Sequence, residues 1–268
     1  MNNSDNVRFK GGAFCNRYKI ECQLTSLSPL HIGDGCMESD EKRLPKPDKK
    51  SNDESPKFTT VITDTNERAY IPGSSLKGNV RRWLEQVLTD FCVNGTDLQL
   101  ACVNDTDRGK YLEDIVKENK KNMTQLVEKL RQTLKITERL FGSNTNEGKL
   151  EFWDADMADP PKIPEKRDGV AYSGYSEKRG TILLKSVAID PKTGTAEKNK
   201  LYNYEVVPKG ATFNVTITGQ NLNDAELGML FFVLDGFNSS IYPGMVKIRL
   251  RVKAFLIPFL FRFFDNRI

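Results

Sequence analysis

The stretch Tyr70–Arg81, YIPGSSLKGNVR, sets two hydroxyl residues, a lysine and an arginine around one chain reversal. Pro72 and Gly73 end a short extended lead-in. Ser74 and Ser75 follow, and Lys77, Arg81 and Arg82 then fall within the helix that begins there. The first N–H groups of a helix have no intrahelical partner, and the helix dipole favours negative charge beside them. Hydroxyls at that start, with basic side chains one turn later, make a seat for a phosphate. The same pattern also describes an N-capped amphipathic helix with solvated basic residues, and the stretch alone leaves both readings open. It is not a nucleotide-binding P-loop, which needs a Gly-Lys-Ser/Thr triplet; here Gly78 is followed by Asn79.

Other chemistry is sparse. The chain of 268 residues has a net charge of +4, a mild basic bias compatible with nucleic acid but not diagnostic of it. The five cysteines (Cys15, Cys22, Cys36, Cys92, Cys102) contain no CxxC pair, and His31 is the only histidine, which argues against a zinc site and a disulfide framework. The N-terminus is polar and lacks an apolar signal region, so a cytoplasmic protein with no membrane partner is expected. His31 follows a strand end and precedes Gly33 and Gly35, glycines that admit close backbone approach to a ligand. It reads equally as a nucleic-acid contact or as a histidine capping a turn.

The elements that must position these groups follow from periodicity. Tyr18, Ile20, Cys22 and Leu24 alternate as a half-buried strand. Residues 36–58 are charged, Pro-containing and poor in apolar side chains, the composition of a mobile insertion loop. Residues 60–71 read as a hairpin turning at Asp64-Thr65-Asn66. A helix follows from Ser75 to about Cys92, with Leu76, Val80, Trp83, Leu84, Val87, Leu88 and Phe91 as its buried face. A second helical zone spans about 111–140 and is capped by Gly142. Leu150 to Trp153 reads as a short strand and 156–180 as loop. Ile182 to Ile189 and Leu201 to Val207 pair as a long basic hairpin, 179–207 with its lead-in, which carries Lys185. Phe213, Val215 and Ile217 alternate as a later strand, and Ala225 to Leu234 form a last apolar helix. The mixture predicts an α+β fold, one domain over 1–268 with a ferredoxin-like (RRM-like) βαββαβ core.

Five blocks in order, LSPLHIGDG (27–35), YIPGSSLKG (70–78), ERLFGS (138–143), GKLEFWDA (148–155) and VAIDPKTGTAEKNKLYNYEVVPKG (187–210), resemble the RAMP superfamily of CRISPR systems. The closest likeness is to the repeating backbone subunits of type III RNA-targeting effector complexes, and it runs from about Tyr18 to Gly236. The resemblance implies a subunit that binds guide crRNA, recognises target RNA by base pairing and stacks head-to-tail on other effector subunits in antiviral defence. It assigns RNA contacts to His31, Gly33, Ser74, Ser75, Lys77 and Arg81, with Lys178, Arg179 and Lys185 at the hairpin. The hairpin itself resembles a protruding thumb that kinks the guide–target duplex.

Active relatives carry an aspartate on the loop before an apolar pair like Val61-Ile62; it serves metal-assisted RNA cleavage. Phe58 occupies that position here. Asp34, Asp40 and Asp53 lie on the same loop and are the substitutes, with Mg or Mn as the implied cofactor; as solvated loop charges they would do nothing catalytic. A stand-alone RAMP-type endoribonuclease using His31 as base, and a non-catalytic capping scaffold, are the alternatives. The tail 245–268 departs from the family, ending in the apolar AFLIPFLFRFF instead of a Gly-rich segment. Codons for GMVKIRLRVKAF read one base earlier permit Gly at 246, 252 and 254 and Lys at 247, as expected of a frameshift near Gly244.

Overall fold

A computed structural model describes residues 10–44, 56–89, 105–144, 146–161, 166–167, 170–171, 174–189, 194–236 and 248–256. In chain order the elements are β1 (Arg17–Ser26), β2 (Gly33–Glu38), β3 (Phe58–Val61), β4 (Tyr70–Ile71), α1 (Gly73–Thr89), α2 (Asp105–Asn119), α3 (Met123–Thr133), α4 (Ile136–Phe141), β5 (Leu150–Phe152), β6 (Ala155–Asp159), β7 (Lys166–Arg167), β8 (Val170–Ala171), β9 (Ile182–Ile189), β10 (Ala196–Val206), β11 (Thr212–Gln220), α5 (Asp224–Gly236) and β12 (Ile248–Leu256).

Alternation in β1 decides the main sheet. Tyr18, Ile20, Cys22 and Leu24 are buried, and Phe213, Val215 and Ile217 of the antiparallel partner β11 join them. Leu76, Val80, Trp83, Leu84 and Leu88 of α1, with Leu230, Val233 and Leu234 of α5, complete one core. Trp83 is therefore a packing residue; Phe91 lies outside the described residues. The sheet order is β12-β1-β11-β6-β4, with β5 also on β11. Taking β1, the β5–β6 strip, β11 and β12 as four strands, the fourth neighbours the first, the first the third, and the third the second. With α1 and α5 as crossovers, this antiparallel arrangement is compatible with a ferredoxin-like core.

Gly73 shows how tightly α1 is set on this sheet. A Cβ there would lie 2.1 Å from the Phe152 carbonyl oxygen, so only glycine lets the helix begin where it does. At the other end of the helical region, Gly142 has φ of 94° and donates its N–H to the Glu138 carbonyl, the C-cap that its position predicted.

A second sheet, ordered β2-β3-β10-β9, joins the basic hairpin to the rest. The β9–β10 hairpin is antiparallel, and β10 runs parallel to β3 through Asn203 and Tyr204. Several boundaries differ from the sequence reading. The 36–58 segment is not loop throughout: Cys36, Met37 and Glu38 belong to β2, Leu44 is buried, and Phe58 opens β3 with no exposure. Phe58, Leu44 and Leu183 pack together as a small second core, which periodicity could not reveal in so polar a stretch.

The helical zone at 111–140 is three helices. Asn122 accepts the Gln125 N–H and restarts the chain as α3; Glu138 accepts the Lys135 N–H and restarts it as α4. The 156–180 region contains β6 and the small β7–β8 pair. The tail also supplies a strand, since β12 pairs antiparallel with β1 over Lys19–Ser26 and covers its otherwise open edge.

Candidate nucleic-acid interface

The start of α1 is built from both sides. Asp154 accepts the Gly73 N–H at 2.7 Å, so one of the orphan helix-start donors is already satisfied by a carboxylate. Ser75 and Leu76 donate their N–H groups back to the Pro72 carbonyl. The exposed Ser74 and half-buried Ser75 hydroxyls have no partner among the described residues. Arg81 is committed: its Nε donates to Glu85 Oε1 at 2.8 Å and its Nη1 to the Gly142 carbonyl at 3.0 Å, tying α1 to the end of α4.

Lys77 is different. It is half-buried and makes no hydrogen bond or ion pair among the described residues. Loss of solvent pushes its pKa down, and the neighbouring charges of Lys10 and Arg81 push the same way. Lys10 itself is ion-paired with both Glu147 and Glu151. The carboxylates of Glu151 and Glu147 pull the other way, but the balance still disfavours the charged ammonium.

The second locus surrounds Glu205, a fully buried carboxylate on β10. Arg43 Nη1 donates to its Oε1 at 2.6 Å and Arg179 Nη1 to its Oε2 at 3.1 Å. Thr181 Oγ1 and the Val61 N–H donate as well. Burial alone would raise this carboxyl's pKa, but the Thr181, Val61 and Arg43 contacts outweigh it and hold the group below the usual range. Arg43 reaches further, to the Gly174 carbonyl and Thr181, and lies over the Phe58 ring at 5.2 Å. Arg179 also holds Glu38 at 3.1 Å. The expected phosphate grip at Arg179 is therefore engaged in an internal clamp, and Lys178 beside it pairs with Glu67 at 2.7 Å.

His31 attaches to the same clamp. Its Nδ1 lies 2.6 Å from the Glu205 carbonyl, a contact that makes Nδ1 the donor and leaves Nε2 an acceptor. Gly33 clears space for that ring: a Cβ there would sit 3.0 Å from Nε2. Asp34 accepts from Thr60 Oγ1 at 2.6 Å and from the Cys36 N–H at 2.8 Å. Desolvation opposes its charge, but those two bonds and the nearby Arg179 charge keep its carboxyl below the usual range.

Asp40 accepts the Lys42 N–H and its carbonyl accepts those of Arg43 and Leu44, the work of a turn residue. Asp53 lies outside the described residues. Asp64, which the sequence assigned to a turn, accepts the N–H groups of Asn66 and Arg68. Lys185 is exposed on β9, opposite Asn203. Among the described residues, no group of three His, Cys, Asp or Glu side chains is placed to hold a metal ion. None of the described helices is long and apolar enough to cross a membrane.

Sequence reasoning missed Glu205, Arg43, Lys10 and Asp154. It also missed that Arg139 and Lys149, in the ERLFGS and GKLEFWDA blocks, meet on the buried Glu226 at 2.9 and 2.6 Å. Glu226 closes the capping box of α5 with Asn223. An inward glutamate in the β10 alternation was a visible signal; its distant arginines were not.

The RAMP superfamily model matches residues 23–245, and the chain belongs to that superfamily, whose members are CRISPR-associated RNA-binding proteins. No curated protein matches the sequence.

Proposed function

We propose that this chain binds guide crRNA as a backbone subunit of a type III effector complex and presents it for pairing with target RNA. The carrying observation is Lys77, a half-buried ammonium with no ion pair or hydrogen bond among the described residues, flanked by the hydroxyls of Ser74 and Ser75, which have no partner there either. A phosphate is the anion that family membership and this geometry favour together. Binding of this kind reads the backbone, leaving sequence to base pairing. Lys185 on the β9–β10 hairpin extends the basic surface, and head-to-tail contacts with neighbouring subunits would continue it.

The test separates Lys77 from Arg81. Lys77→Ala should weaken guide RNA binding and lower its salt slope by about one unit, with folding intact. Arg81→Ala should also lower thermal stability, because it unties α1 from Gly142. Unchanged affinity and slope for Lys77→Ala in filter-binding titrations would overturn the reading and favour a capping scaffold that touches little RNA.

A second reading has one observation behind it. With Nδ1 held by the Glu205 carbonyl, His31 Nε2 has the tautomer of a general base, as a stand-alone RAMP endoribonuclease would need. Metal-independent cutting of repeat RNA by the isolated chain, lost in His31→Ala, would establish it.

A further inference from the structure

One exposed aromatic stands apart from every feature described so far. Trp153 follows β5 and is 55% exposed, although the outward positions of the adjoining β1 and β11 carry charged, amide and hydroxyl side chains. Its side chain is held in place. The indole Nε1–H donates to Thr218 Oγ1 at 3.4 Å, Thr218 donates to Glu151 Oε2 at 3.2 Å, and Lys10 anchors Glu151. The Trp153 N–H donates to the Thr216 carbonyl at 3.1 Å, which fixes the backbone to β11. The ring is pinned by its edge, so little rotamer freedom remains to be lost when something lies on its face.

Position adds to this. The Trp153 carbonyl carbon lies 2.9 Å from where a Cβ of Gly73 would be, and the next residue, Asp154, caps α1. The backbone of Trp153 therefore borders the helix start, and Glu151, which accepts from the Thr218 hydroxyl at the ring's edge, is also among the charges that act on Lys77. A lone indole on a polar sheet makes no contiguous apolar patch of the kind that protein docking uses. It does make a π-face, and stacking on such a face is tolerant of base identity.

We propose that Trp153 is a stacking platform for a base of single-stranded RNA, adjacent to the phosphate seat at Lys77. This rests on the RNA-binding reading above and adds a base contact to it. The base and its phosphate are then held by neighbouring groups of different chemistry, one apolar and one cationic.

Fluorescence provides the test, because the chain has only two tryptophans and the other, Trp83, is buried. The full chain is titrated with an unstructured single-stranded oligoribonucleotide. Saturation should quench the emission of the wild type, and Trp153→Phe should show no such quenching while retaining most of the affinity. Trp153→Ala should weaken binding about fivefold to a hundredfold, the range for losing one stacked base. Its salt slope should stay unchanged because no phosphate contact is lost, in contrast to Lys77→Ala.

Wild-type binding without quenching would overturn the proposal, whether or not the alanine variant folds. It would leave the phosphate reading standing if Lys77→Ala still lowers the slope. An alanine variant that loses self-association or subunit assembly at unchanged RNA affinity would assign the ring to a protein contact, also overturning it. A wild type that binds no RNA would overturn both.

Discussion

Two of the cationic loci among the described residues differ in whether the protein supplies its own anion. Around Glu205, two arginines converge on one buried carboxylate, and the remaining oxygen lone pairs are filled by a hydroxyl and a backbone N–H. At the start of α1, Lys77 feels the charges of Lys10 and Arg81 more than those of Glu151 and Glu147 and has no ion pair of its own among the described residues. The first locus is complete as it stands. On the reading proposed above, the second takes its anion from outside the chain. Counting basic residues does not distinguish them, but counting their partners does.

The strongest way to break this comparison is to remove the carboxylate. Glu205→Ala leaves Arg43 and Arg179 without their shared partner and should cost on the order of 3–5 kcal/mol of stability in urea unfolding. Lys77→Ala should change stability by less than about 0.5 kcal/mol, since it removes a cation with no hydrogen bond or ion pair among the described residues. Comparable losses from the two variants would mean that the loci are not of different kinds.

Acid should discriminate next. The folded Glu205 and Asp34 carboxyls lie below their ordinary values, so the unfolded chain binds protons more readily in that range. Their stabilisation is present above the ordinary carboxylate pKa, about 4. It is lost as pH falls through the depressed folded values. Urea midpoints measured between neutral pH and about pH 3 should fall steeply for wild type and less steeply for Glu205→Gln. Parallel curves would show that the clamp does not govern acid stability.

The tail offers a third comparison. The superfamily match stops at 245, where the composition turns basic and then apolar. If the frame shifts near Gly244, a chain with the restored frame should bind guide RNA more tightly and scatter less light than this one, whose AFLIPFLFRFF run favours aggregation. Equal solubility and equal affinity would mark the present tail as native.

Cleavage is where the smallest effect is expected. Phe58, where the resemblance would place an aspartate, is fully buried beneath Arg43. Target RNA in the assembled complex with magnesium or manganese should be cut weakly or not at all, with any residue of activity falling most in Asp53→Ala. Fast, regularly spaced cutting abolished by Asp34→Ala or Asp40→Ala would show that a turn carboxylate serves the reaction after all.

Much of this was legible in the sequence. Strict alternation in Tyr18–Leu24 and Phe213–Ile217 and the helical spacing from Leu76 to Leu88 specified the main core, because burial imposes those periods on any chain that uses these elements. The start of α1 with its hydroxyls and basic residues was legible as a pattern, but which of those residues the fold engages was not. Arg81 and Lys77 look alike on a helix, and only the fold brings the Gly142 carbonyl to one while giving the other no hydrogen-bond partner among the described residues. The clamp was illegible for the same reason, since Arg43 and Glu205 are 162 residues apart. Phe58 and Leu44 were hidden by the polar residues around them.

The pairing of β1 also has a consequence for how the chain is made. Both neighbours of this early strand, β11 and β12, come from the distant part of the sequence, beginning at Thr212 and Ile248. At typical synthesis rates of about 5–20 residues per second, β1 leaves the ribosome roughly ten to forty seconds before β11 exists to pair with it. Throughout that interval Tyr18, Ile20, Cys22 and Leu24 are displayed on a strand with two open edges, a template for other nascent chains. The loop-closure entropy must be overcome before either edge is sealed, so the main sheet can close only late in synthesis, and the long sequence separation of its central pairings favours slow folding.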